Sequence, residues 1–414
     1  MLDYSKILEK IKPSQEEEEI VRTISQYVII YLKKLFREDV EIVAGGSSAK
    51  GTFLKGDFDI DIFVRFKNKK ENYSNELHKV IKTFCENENL TYERLHGSRD
   101  YFQFTFKSIS FEIIPVKYVT KIKDIENVTD MSPLHVEWVK SKLSNKLADD
   151  IRLAKQFCKG QKIYGAESYI NGFSGHVIDI LIIYYGGFDK MLKAVSRWED
   201  TTIIDTENSH KDVLKELNKS KLQSPLIIID PIDSTRNASA SLSKENYLKF
   251  IECAKEFIKN PKETFFKIPK FSKSMLEKNK KSNELLYVLD IKPLEGKRDV
   301  VGSKILKAFE FINKELTKND FIVNSSGWFF NKEETHMYFY IDDKILEKTY
   351  IRIGPKNTNK EAVKSFKDKH PSTFPQEDYI CTNIPRKFIL PEKFFKYLLE
   401  QEQFKSRIES FDLN

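Results

Sequence analysis

Residues 45 to 62 read GGSSAKGTFLKGDFDIDI. In an extended strand successive side chains point to opposite faces, so Asp59 and Asp61 share one face while Ile60 and Ile62 take the other. Two carboxylates side by side repel unless something positive sits between them. The natural occupant is Mg²⁺, a hard cation that takes oxygen ligands and completes its shell with water and substrate phosphates. The glycine-serine half of the stretch is complementary. Gly45 and Gly46 let the backbone come close to a ligand, and the chain after them is expected to turn into a short helical segment carrying Ser47 and Ser48. Free N–H groups at a helix start attract phosphate oxygens. The serines add hydroxyl donors and Lys50 adds charge. A bare Gly-Gly-Ser is common in loops; joined to Asp-Ile-Asp at this distance, it describes a site that holds a nucleoside triphosphate against metal ions.

Working outward, residues 41 to 44 read as a short strand, and a third acid is expected on another strand nearby. Residues 101 to 116, YFQFTFKSISFEIIPV, alternate at period two through Phe102, Phe104 and Phe106, pause at Lys107-Ser108, and resume as a second strand. There Glu112 faces opposite to Phe111 and Ile113. An acid inside such an apolar run costs stability unless it has a partner or a task. The bland alternative is an edge strand with Glu112 in water; the unpaired Asp59 and Asp61 favour a shared metal site.

The pattern of apolar-Gly-Gly/Ser, Asp-apolar-Asp and a later strand acid resembles the DNA polymerase β nucleotidyltransferase superfamily. Further segments narrow the resemblance: TDMSPLHVEW (129 to 138), KIYGAES (162 to 168), NGFSGHVIDILIIYYGGF (171 to 188) and IIIDPIDSTRNASASLS (227 to 243). Together, and in order over most of residues 1 to 260, they resemble the archaeal-type, class I CCA-adding tRNA nucleotidyltransferases. The eubacterial and eukaryotic type has a distinct sequence after its acids and an all-helical remainder, which this chain does not share. The resemblance implies an α+β protein with a polymerase β-like nucleotidyltransferase head over residues 1–140, a mostly helical central domain over 141–262, and a C-terminal tRNA-binding region over 263–414 with a ferredoxin-like unit.

Composition agrees without establishing this. A chain of 414 residues is too long for one ordinary core. A net charge of +7, from 69 basic and 62 acidic residues, permits a polyanionic partner but does not by itself point to one. Cys85, Cys158, Cys253 and Cys381 stand far apart with no C-x-x-C pair, and the histidines complete no zinc pattern, so reduced thiols and a cytoplasmic location are expected. No apolar stretch approaches the ~18 residues of a membrane span, and the start of the chain, rich in Glu and Lys, is no signal peptide.

Residues 3 to 36 carry a helical pattern, with Glu16 to Glu19 on a solvated face. A helix is expected around 71 to 87, and others over 133 to 158 and 172 to 198, where VIDILIIYY is apolar nearly all round and therefore buried. Ser243 is expected to cap a helix whose Leu248, Ile251, Ala254 and Ile258 form one stripe. Residues 260 to 282 hold seven lysines against two glutamates with two prolines and read as a linker, either merely solvated or suited to a phosphate backbone. The last third reads as strand 284 to 291, helix 303 to 317, strands 321 to 330 and 336 to 342, and helix 359 to 368, the β-α-β-β-α order of a ferredoxin-like unit. Trp328, Phe330 and Tyr340 either stack on bases or build its core.

The resemblance also implies site roles. Asp59, Asp61 and Glu112 are the catalytic metal ligands, around two Mg²⁺ ions ~4 Å apart. In the family's pattern the positions occupied here by Ser47, Ser48, Ser132, His135, Lys155 and Tyr164 contact the incoming nucleotide. Arg236, of the D-x-x-R-N segment, reads the base edge together with the RNA backbone, as a fork of donors can. Structural alternatives stay open: Ser132 capping the helix after Pro133, His135 packing beside Trp138, and Arg236 pairing with Asp230 or Asp233. The family often has Glu where Asp59 stands and Asp where Glu112 stands; the carboxylate is kept and its reach altered by one methylene. Ser132 replaces a usual threonine. The activity so implied is addition of C, C and A to the 3′ end of tRNA from CTP and ATP, by a protein that pairs as a homodimer and has no membrane partner. A relative that adds only A, poly(A) or oligoadenylate uses the same acids, and a catalytically silent RNA-binding protein is the reading from another class.

Overall fold

Alternation builds the first sheet. A computed structural model describes residues 2–36, 40–331 and 333–413. Its first five strands are β1 (Val40–Ala44), β2 (Asp59–Phe66), β3 (Tyr92–Leu95), β4 (Tyr101–Phe106) and β5 (Ile109–Lys117), in the order β1-β2-β5-β4-β3. Ile60, Ile62, Val64 and Phe66 turn one face of β2 into a core shared with Phe111 and Ile113 of β5. Helices Gln15–Phe36 and Tyr73–Glu88 cover that face through Val28, Leu32, Leu77 and Ile81. The opposite face carries the acids at the start of β2, followed by buried Phe63 and Arg65. β4 and β5 form a hairpin whose two turn residues, Lys107 and Ser108, both take positive φ (48° and 64°), the twist that a two-residue hairpin requires. β3 was not expected from the sequence.

The expected helical stretches are present but subdivided. Residues 3 to 36 become Ser5–Ile11 and Gln15–Phe36, separated at Pro13, and 133 to 158 become Ser132–Lys142 and Asn145–Gly160, the second capped by the Ser144 side chain. The stretch 172 to 198 breaks at Gly186 and Gly187, whose φ of 73° and 129° no helix accommodates, into Gly175–Tyr185 and Phe188–Val195. These helices enclose a second core around Phe157, Phe173, Phe250 and Phe257. Ser243 caps helix Lys244–Lys259 as expected, but the buried stripe is Tyr247, Phe250, Ile251, Ala254 and Phe257. Leu248 and Ile258 are 46% and 44% exposed, because the bulkier aromatic face one residue round the helix takes the core. A short parallel pair, β6 (Thr202–Ile204) and β7 (Leu226–Ile228), precedes the D-x-x-R-N loop.

The chain divides into two compact units, residues 1–269 and 270–414. The first part of the stretch read as a linker is core: Phe265 stacks on Phe157 at 5.8 Å, and Phe266 is buried. In the second unit β8 (Glu284–Lys292), β9 (Val323–Phe330) and β10 (Thr335–Asp342) are joined by β14 (Ser410–Leu413) in the antiparallel order β14-β8-β10-β9, the ferredoxin-like arrangement. Its helices are Arg298–Lys318 and Pro391–Leu399. The helix expected at 359 to 368 exists as Lys360–Lys369, yet it packs on a separate three-stranded sheet, β11-β13-β12 (Thr349–Lys356, Tyr379–Pro385 and Thr373–Gln376), inserted before the unit's second helix. Tyr340 is buried and donates to the Leu276 carbonyl, while Trp328 and Phe330 pack against the core, so these aromatics build the unit. Among the described residues no helix is long and apolar enough to cross a membrane.

Candidate active site

β2 and β5 run parallel with Asp61 directly opposite Glu112 and Asp59 opposite Ser110. The three acids therefore lie on the sheet face turned away from the core, Asp59 exposed at the strand's start and Asp61 and Glu112 partly buried. Burial pushes the Asp61 carboxyl up to about 6; Lys50 works against this and Asp59 adds to it. Tyr101 stands close enough to Glu112 and Asp61 that burial and both charges raise its phenol.

The two glycines answer to distinct contacts. A Cβ on Gly45 would lie 2.2 Å from the Phe63 ring, and one on Gly46 would lie 1.8 Å from Asp61 Oδ2. Gly46 also takes φ +58° as the first residue of helix Gly46–Lys50. This turn brings Lys50 to the cleft, where its ammonium donates to Asp179 Oδ2 at 2.5 Å. Asp179 is fully buried in helix Gly175–Tyr185, and its Oδ1 has no partner among the described residues.

Helix Asn145–Gly160 fastens the helical layer to the same turn. Arg152, Lys155 and Lys159, spaced three and four apart and so on one face, reach the Phe53 carbonyl (3.1 Å), the Thr52 carbonyl (3.1 Å) and Asp57 (2.6 Å). Burial lowers the Lys155 amine to about 8, although Asp179 opposes the shift. The Tyr164 hydroxyl lies against Gly175, where a Cβ would meet it at 3.2 Å and Lys155 Cε at 3.9 Å, and burial raises its pKa.

A cleft of about 510 Å³ opens over the acids. Of the expected residues it gathers Lys50, Asp61, Glu112, Ser132, His135 and Arg236. Ser132 does not cap its helix: it lies one residue inside, after Met131, and its side chain lines the cleft. His135 Nε2 lies 2.8 Å from Asp230 Oδ1, and its ring packs 4.3 Å from His176 rather than beside Trp138. Arg236 pairs with Asp230 (2.9 Å) while its side chain stays 35% exposed. Asp230 is buried; desolvation works to raise its pKa, but the hydrogen bond and charge of His135 and the Ile232 N–H hold it below the usual carboxylate range.

Lys155 and Tyr164 sit behind the Lys50–Asp179 pair and do not line the cleft, and neither do Asp59, Ser47 and Ser48. The Ser48 hydroxyl donates to the Gly45 carbonyl and faces a separate cavity of about 740 Å³. Sequence reasoning missed Asp179, His176, Tyr101 and Arg99. Asp179 stands inside an apolar run, the signal that singled out Glu112, and His176 lies just before that run. Arg99, which lines the cleft, is clamped by buried Asp130, which also accepts the N–H groups of Lys117, Glu126 and Asn127 at 2.8, 3.2 and 3.0 Å.

Three carboxylates on one sheet face, one of them holding its proton tightly because it is buried beside another acid, form an all-oxygen donor set that fits a hard divalent cation. Around it stand Lys50, Arg99 and Arg236, charges suited to phosphate.

Comparison with known proteins agrees along the length of the chain. Residues 27–129 match the family described as nucleotidyltransferase domain, 149–267 the tRNA nucleotidyltransferase second domain, and 292–409 the CCA-adding enzyme C-terminal domain. The chain is 35% identical over 375 residues to the CCA-adding enzyme of Nanoarchaeum equitans, covering 89% of this chain and 90% of that one. With the CCA-adding enzyme of Methanocaldococcus jannaschii it shares 32% over 380 residues, 89% of this chain and 84% of that. Among solved structures, the Cid1 poly(U) polymerase has a similar fold, with a TM-score of 0.51 at 14% identity over 64% of this chain and 97% of that one.

Proposed function

The chain belongs to the archaeal-type CCA-adding enzymes, and on that footing we propose that it adds C, C and A to the 3′ end of tRNA, consuming CTP and ATP and releasing pyrophosphate. The observation that carries the chemistry is Asp61 facing Glu112 across β2 and β5 in a cleft that also holds Lys50, Ser132, His135 and Arg236.

Asp59, Asp61 and Glu112 would hold the divalent cation, Mg²⁺ by the hardness of their oxygens. When bound, that cation supplies Lewis-acid charge to the triphosphate and makes the attacking hydroxyl easier to deprotonate. The chain's own residues do the rest. Gly46, lacking a side chain, leaves the Asp61 carboxylate free to turn toward the cleft. Lys50, held by Asp179, and the Ser132 hydroxyl draw the triphosphate oxygens into line. Lys155 supports the same turn through Thr52, Tyr164 lies against Gly175 of helix Gly175–Tyr185, and both are proposed to meet the nucleotide when it enters. Arg236 has one donor on Asp230 and the others available to a base edge and an RNA phosphate. His135, bonded to the same carboxylate, presents its ring beside the nucleotide. The RNA 3′ oxygen attacks the α-phosphorus in line beside Glu112, and positioning and charge neutralisation supply most of the acceleration, with no covalent protein nucleophile.

The enzyme is further proposed to work in the cytoplasm as a homodimer. Four separate, buried thiols support a reducing compartment, and light scattering on the purified chain reads the dimer. The function is tested with tRNA lacking its terminal CCA, Mg²⁺, and CTP or ATP separately and together. Two C residues are added with CTP alone and a final A only when both nucleotides are present. Extension by A alone sinks the reading.

A further inference from the structure

The wall of the cleft carries a second cluster with a different donor chemistry from the acids. His135, His176 and Asp230 each offer one ligand atom, and these atoms all lie within 4.8 Å of one another. All three belong to the first unit, His135 from helix Ser132–Lys142, His176 from helix Gly175–Tyr185, and Asp230 from the loop after β7.

Hydrogen bonding within the protein accounts for only part of this arrangement. His135 and Asp230 satisfy each other, and Asp230 is held in place by the Ile232 N–H (2.9 Å) and Arg236 (2.9 Å). His176 is different. Both of its ring nitrogens are shut away from solvent and neither has a hydrogen-bond partner among the described residues. An imidazole buried with two idle nitrogens is costly. Two imidazoles and one carboxylate are the donors of a zinc-class ion, whereas the all-oxygen set of Asp59, Asp61 and Glu112 suits a hard one. Arg236 on the far oxygen of Asp230 is the kind of partner that orients a ligating carboxylate, and its positive charge keeps such a site weak enough to empty.

We propose that His135, His176 and Asp230 form a dissociable site for Zn²⁺ or a similar transition-metal ion, with its fourth position open to the cleft. Bonds of ~2.0–2.2 Å draw the three ligand atoms together, and His176, tied to nothing through its nitrogens, is the one that moves. Binding replaces the His135–Asp230 hydrogen bond: the ring proton of His135 moves to Nδ1, and Nε2 and the Asp230 oxygen turn to the ion. Because His135 and Arg236 then no longer face the cleft as before, an ion there competes with the incoming nucleotide; this consequence, unlike the binding itself, rests on the function proposed above.

The test uses the full chain with saturating Mg²⁺ and titrates Co²⁺, whose visible absorption reports a low-coordinate nitrogen and oxygen site, then displaces it with Zn²⁺. One equivalent binds to the unmodified protein and to Asp61→Asn. In His176→Gln and in His135→Asn, each checked for native far-UV circular dichroism so that one folded variant suffices, affinity falls at least about tenfold. Unchanged affinity in the folded histidine variants, or loss in Asp61→Asn, overturns the site. In a parallel arm Zn²⁺ raises the KM for CTP in the unmodified enzyme and not in His176→Gln. Binding without that rise leaves the site and refutes the competition, and an inactive enzyme that still binds Co²⁺ through His176 counts against the proposed function alone.

Discussion

Gly46 shows how closely backbone and chemistry are joined at this site. Its φ of +58° costs a substituted residue about 1–3 kcal/mol, and a Cβ there also meets Asp61 Oδ2 at 1.8 Å. Gly51 provides the matched control, with φ +63° and nothing within 4 Å. Both Gly46→Ala and Gly51→Ala are therefore expected to lose similar stability in urea melts, whereas only Gly46→Ala loses nucleotide addition, by at least about a hundredfold if the displaced carboxylate forfeits a few kcal/mol. Asp61 carries the opposite signature. Its folded pKa of about 6 exceeds the ordinary aspartate value of 3.8, so the stability it contributes is present below about 3.8 and lost as pH rises through 6. Near pH 7 its charge costs on the order of 2–3 kcal/mol relative to an ordinary aspartate. Without metal, Asp61→Asn should thus melt higher than the unmodified protein at pH 7 and no higher at pH 4. Added Mg²⁺ should raise the Tm of the unmodified protein only. Equal melting of the two proteins at pH 7 would contradict the burial argument.

At the scale of elements, β1, β2, β4 and β5 were legible as strands because alternation there is strict and both faces have distinct tasks, while their order in the sheet and the strand β3 were not. Asp59, Asp61 and Glu112 could be placed on one face by parity alone. What the sequence hid was contributed by other elements at long range. The partner of Lys50 is Asp179, more than a hundred residues on, and that of His135 is Asp230; spacing along the chain carries no trace of either pairing, whereas the local pair of Arg236 with Asp230 was among the sequence's own alternatives. The helix stripe at Leu248 and Ile258 was misread because period and hydrophobicity fit two adjacent stripes, and the aromatic one filled the core better. Likewise the second helix of the ferredoxin-like unit lies beyond an inserted sheet, so chain order favoured the nearer candidate. Asp130 is the element-scale anchor. It joins β5, the 126–131 turn and Arg99 through buried charge, so Asp130→Asn is expected to cost about 3–5 kcal/mol in chemical denaturation, with the Arg99 loop exchanging its amide hydrogens faster.

For the whole molecule, the units 1–269 and 270–414 each hold a core of their own. Expressed alone, residues 270–414 should unfold as a cooperative unit without the cleft. Residues 1–269 contain every residue assigned to the chemistry, and should bind CTP in a Mg²⁺-dependent way. The central claim is that Asp59, Asp61 and Glu112 together perform nucleotidyl transfer to the tRNA 3′ end. The most direct measurement is single-turnover incorporation of one labelled A onto tRNA ending in CC, at saturating ATP and Mg²⁺, by the unmodified enzyme and by Asp59→Asn, Asp61→Asn and Glu112→Gln. Each variant is predicted to keep its fold and its tRNA affinity while losing at least about a hundredfold in rate. A folded Asp61→Asn or Glu112→Gln enzyme that adds A within tenfold of the unmodified rate would contradict the account.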